Sequence, residues 1–85
     1  MTLKEFEKVN VASRTRYTVF NARGEYVDSF EDYILDEKGN VIHDVEAQDL
    51  TYSKIRKFEN ATVKYVSFSK VFKALTITLY TKGGE

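Results

Sequence analysis

The sequence predicts a single small α+β domain, an antiparallel twisted sheet of four to six strands with one or two short helices on one face. Three observations predict it. At 85 residues the chain is long enough for one core and too short for two. Alternating runs of β-branched or aromatic and polar residues recur, most clearly in Leu75-Thr76-Ile77-Thr78-Leu79. Two short stretches open on helix-capping signals, one at Thr2 and one near Thr51. The domain is expected over 1–82, with 83–85 a fraying tail.

The first helix follows from Thr2-Leu3-Lys4-Glu5, which has capping-box spacing, and from Met1 and Phe6, which stand where a hydrophobic staple closes. It should end near Val9-Asn10, with Leu3, Phe6 and Val9 docking on the sheet. Arg14 to Phe20 reads as a strand, Asn21-Ala22-Arg23-Gly24 as a turn, and Glu25 to Phe30 as the returning strand. Tyr33-Ile34-Leu35 and Val41-Ile42-His43 read as a second hairpin about Gly39. Residues 29–37 also match helical spacing, but the glycine turn between two β-type runs favours strands.

A second helix is expected over Asp49 to Phe58, with Thr51 as N-cap, Leu50 stapled to Ile55, and Lys54, Arg56 and Lys57 towards its C-terminal end. Thr62 to Ser69 and Ala74 to Thr81 close the chain as strands. Between them Val71 and Phe72 are expected to tuck beneath the connection.

Six tyrosines and six phenylalanines provide core-forming capacity that a disordered chain lacks. The chain contains no cysteine, which excludes disulfides, thiolate zinc sites and cysteine nucleophiles. The first residues do not resemble a signal peptide and no run is long enough to span a membrane, so the reading is cytoplasmic. The single histidine, His43, alternates with Val41 and Val45 in an expected strand, which suits a structural or surface residue better than a general base. Asp36-Glu37-Lys38-Gly39-Asn40 places a lysine inside what would otherwise suggest a calcium loop, and the glycines are too separated to cradle a phosphate. No enzyme activity, cofactor or metal is expected.

Charge carries more information than its zero sum. Residues 1–24 hold five cations against two acids, 25–49 hold nine acids against Lys38, and 50–85 hold seven cations against two acids. An acidic surface built from Glu25, Asp28, Glu31, Asp32, Asp36 and Glu37 is the leading candidate for contacting a protein partner, through electrostatic steering. Alternatively, the acidic strands pair with the basic flanks, with Arg14 and Arg16 facing Glu25 or Asp28. A second candidate, from a different class, is a weak nucleic-acid surface using Lys54, Arg56, Lys57, Lys64, Lys70 and Lys73, with Tyr65, Phe68 and Phe72 among them. Dimerisation would help so small a core.

With its capped Thr2-Leu3-Lys4-Glu5-Phe6 start, Tyr17-Thr18-Val19-Phe20 strand and Gly24 turn, Asp49-Leu50-Thr51-Tyr52 segment and closing Leu75 to Leu79 strand, the chain resembles the short accessory proteins of phages and mobile elements of low-GC Gram-positive bacteria. The resemblance implies a small binding protein, with inhibition of a host nucleic-acid enzyme, as in anti-CRISPR proteins, as one role. The hairpin about Gly39 departs from that pattern, and no functional residue carries over.

Overall fold

The start of the first helix and both glycine turns are local features, and much of the chain's architecture grows from them. The computed structural model describes residues 1–10, 14–42 and 45–81. In chain order these form α1 (Leu3–Val9), β1 (Thr15–Phe20), β2 (Tyr26–Glu31), β3 (Ile34–Leu35), β4 (Val41–Ile42), α2 (Val45–Lys57), β5 (Thr62–Ser69) and β6 (Ala74–Tyr80). At the start of α1 the capping box is complete: the Glu5 amide donates to the Thr2 hydroxyl and the Thr2 amide donates to the Glu5 carboxylate.

One turn chemistry is used twice. The Asn21 side-chain oxygen accepts from the amides of Arg23 and Glu25, and the Asp36 carboxylate accepts from those of Lys38 and Asn40. In each turn the glycine three residues on, Gly24 or Gly39, has a φ of +83° or +84° and donates its amide back to the carbonyl of the Asn or Asp. That backbone region is strained for residues with a Cβ, so the glycine and the Asx side chain together specify the hairpin.

The main sheet runs β2-β1-β6-β5, and β3 pairs with β4 in a separate two-stranded hairpin. The outer pairs are antiparallel, as expected, but the two central strands, β1 and β6, lie parallel, with Thr15 opposite Leu75 and Phe20 opposite Tyr80. The sheet is therefore mixed and mostly antiparallel. A parallel pair requires a long crossover, and here the intervening chain, α2 included, provides it.

Tyr17 and Val19 of β1 and Ile77 and Leu79 of β6 point to one face, where Leu3 and Phe6 of α1 and Ile55 and Phe58 from α2 and its end complete the core. Both helices thus cover the same face. Phe30 stacks on Tyr17 with ring centroids 4.8 Å apart and lies 6.2 Å from Phe58, tying β2 into that core.

Local expectations are corrected at several positions, first at Val9, which was expected to dock on the sheet with Leu3 and Phe6 and is 65% exposed. Helix α2 begins at Val45, so Thr51 lies inside it, and its hydroxyl donates 2.7 Å to the Glu31 carbonyl instead of capping the helix. Leu50, expected to staple, is exposed. Val45 opens that helix and does not continue β4, and His43 lies outside the described residues. Val71 and Phe72 are not tucked away: Val71 is 86% exposed, and Phe72 swings across to place its ring 3.5 Å from the Arg16 guanidinium. Lys73, the next residue of that turn, has a φ of 52°.

Candidate interaction surfaces

Residues directly opposite one another in a sheet share a face, so the strand register maps the side that the helices leave bare. Three rows cross it. Glu31, Arg16, Thr76 and Ser67 form the first; Ser29, Thr18, Thr78 and Tyr65 the second; Tyr26, Phe20, Tyr80 and Thr62 the third. Hydroxyl groups and rings dominate and no aliphatic side chain occurs in these rows, so nothing drives a helix to cover them.

The third row is a continuous aromatic strip. Phe20 meets Tyr26 edge-on at 6.4 Å and Tyr80 at 5.6 Å, and the Lys64 amine sits 5.9 Å from the Tyr80 ring. The Tyr26 and Ser29 hydroxyls lie 2.8 Å apart. At the opposite end of the face Arg16 is held between the Glu31 carboxylate, 3.0 Å away, and the Phe72 ring.

The sheet has two edges, and they are treated differently. Along β2 the Glu31 carbonyl is taken by Thr51 and Asp28 is paired with Lys54 at 3.2 Å, so α2 guards that side. Among the described residues only the start of β5 is guarded, where Val63 donates its amide to the Met1 carbonyl and Thr2 bridges to Thr62. Leu75 and Thr81 donate their amides to β1 carbonyls, so the even-numbered positions of β6 face β5. Their partners Tyr65, Ser67 and Ser69 bond inward, and Val66 and Phe68 are left directing their backbone groups away from the sheet. Tyr65 and Phe68 are 67% and 64% exposed, and Val66 is also exposed. An open edge with large apolar side chains is a template for another strand.

The six acids of the acidic candidate are dispersed. Asp28 and Glu31 are ion-paired, Asp32 is half-buried and accepts the Thr15 amide at 2.7 Å, and Asp36 holds its turn. Glu25 lies in the first turn, 3.9 Å from Arg23 and within hydrogen-bond reach of Asn21, and Glu37 is exposed in the second turn. Burial pushes the Asp32 carboxyl above its ordinary value, whereas the Asn40 amide, with that of Lys38, holds Asp36 below its own. The cross-hairpin pair is Arg16–Glu31, while Arg14 lies 5.8 Å from the Tyr33 ring.

The basic candidate divides in two. Lys54, Arg56 and Lys57 stand on α2, the first of them paired with Asp28, while Lys64, Lys70 and Lys73 belong to the β5–β6 hairpin. From residue 60 to 81 the chain has no acid at all. The aromatic strip escaped sequence reasoning because Phe20, Tyr26 and Tyr80 come together only through strand pairing.

No family model, curated protein or solved structure matches this chain. A cleft of about 330 Å³ lies between β2, Tyr33-Ile34 and α2, but its cations, Arg16 and Lys54, already face Glu31 and Asp28. Tyr17, at the same cleft, donates its hydroxyl to the Glu7 carboxylate, and burial raises the phenol's pKa. Among the described residues no three acids or histidines converge to hold a metal ion, and no helix is long and apolar enough to cross a membrane.

Proposed function

We propose that the domain is a non-catalytic, cytoplasmic protein-interaction module that takes a strand of its partner along β5. The observation that carries this reading is the unguarded stretch Tyr65 to Ser69, where outward backbone groups at Val66 and Phe68 accompany exposed apolar side chains. Strand addition draws affinity from such a backbone row and specificity from the alternate side chains. The partner segment is expected to be acidic, because Lys64, Lys70 and Lys73 stand around the edge without a neighbouring acid in the hairpin. A module of this kind acts by occupancy, and inhibition of a host enzyme is the activity it would serve.

The test is affinity capture from native host extract with three proteins of unchanged circular dichroism: the wild type, Val66→Pro and Phe68→Ser. Proline removes an outward amide without touching a bond to β6. Loss of the captured partner with the first variant and weakening of about tenfold or more with the second are expected. Capture unaffected by both, but abolished when Glu31, Asp32, Asp36 and Glu37 are reversed to lysine, would transfer the interface to the acidic segment.

A further inference from the structure

We infer that the bare face of the sheet is a platform for single-stranded nucleic acid, a site beside the β5 edge that shares its lysines but not its outward backbone groups. A strand-tolerant binder needs rings on which bases stack and cations that follow the phosphates. The aromatic strip meets the first need: Phe20 and Tyr80 lie side by side on the two central strands, 5.6 Å between centroids, and Tyr26 extends the strip onto β2. A base laid on this strip finds hydroxyl groups around it, since Thr18, Thr78 and Ser29 form the next row.

Charge meets the second need. Lys64 stands over Tyr80 at one end of the strip, and at the far end of the face the turn of Phe72, which packs on the ion-paired Arg16, carries Lys70 and Lys73. Among the described residues two acids border the same face, Glu31, which is paired with Arg16, and Glu25 next to Tyr26, against Lys64, Lys70 and Lys73. The balance favours a polyanion over the acidic or apolar segment that suits the neighbouring edge. Duplex is disfavoured because stacking requires unpaired bases.

The experiment is fluorescence anisotropy with a labelled oligothymidylate of about ten nucleotides at low ionic strength. Binding should weaken with added salt, with a log–log slope near −2 for about three phosphate contacts. Tyr26→Ser removes an exposed ring and should weaken binding roughly 5- to 150-fold, the range a lost base stack produces. Lys64→Glu should weaken it and flatten the salt dependence. Arg56→Glu makes the same charge change on α2 and should leave binding unaltered, as should the edge variant Val66→Pro. Absence of binding at low salt, or binding insensitive to Tyr26 and Lys64 yet lost with Arg56→Glu, overturns the assignment and leaves the face to a protein partner.

Discussion

At Asp32, one carboxylate serves structure at a cost in charge. Its oxygen receives the Thr15 amide at the start of β1, yet burial opposes its ionisation and the Glu7 charge adds to that opposition. An acid whose folded pKa lies above its unfolded one stabilises most when protonated, below about pH 4, and loses that contribution as pH rises through the folded value. Asp36 and Glu5, both lowered by hydrogen bonds to their charged forms, act in the opposite sense and lose their contribution as pH falls. Asp32→Asn keeps an oxygen for Thr15 and removes the desolvated charge. Urea unfolding should therefore find this variant more stable than wild type at pH 7, with the gap closing towards pH 4. A gap that widens on acidification would contradict the assignment.

At the scale of elements, α2 is fixed to the sheet by a bond that its own sequence does not announce. Thr51 is buried in the interior of the helix and its hydroxyl reaches the Glu31 carbonyl at the end of β2. Ion pairing of Lys54 with Asp28, one turn further along, reinforces the same contact. Thr51→Val keeps the shape and leaves a partly buried carbonyl without its donor, which should destabilise the domain by about 1–3 kcal/mol in thermal or urea unfolding. The helix should persist, since residues on both sides still pack. Helix α2 itself starts at Val45, nearly two turns before the Thr51 signal, because a Ser/Thr residue caps only if the chain before it leaves the helical region.

The molecule as a whole is a one-sided sheet, with its stability concentrated on the covered face. For a chain of this length the total is on the order of 4–13 kcal/mol. Leu79 is fully buried at the centre of the core. Leu79→Ala should cost about 2–5 kcal/mol, a large part of that reserve, and lower the melting temperature by more than about 10 °C. Its neighbour Thr78 points to the bare face, and Thr78→Ala should change stability by less than about 1 kcal/mol. This asymmetry gives the bare face freedom to serve binding without carrying the fold.

Much of this was legible residue by residue. The Thr2–Glu5 capping box, the Asx-to-glycine turns at Asn21 and Asp36, and the alternation of Leu75, Ile77 and Leu79 act over a few residues, so spacing alone specifies them. They placed α1, both hairpins and β6, and with them the α+β class. Tertiary structure alone decided that β1 and β6 lie parallel at the centre, that Arg16 faces Glu31 and Lys54 faces Asp28, and that Phe20, Tyr26 and Tyr80 form one strip. Such contacts join residues distant in the chain, and their partners are chosen by how the helices bury one face of the sheet. The same choice leaves the other face and the β5 edge open.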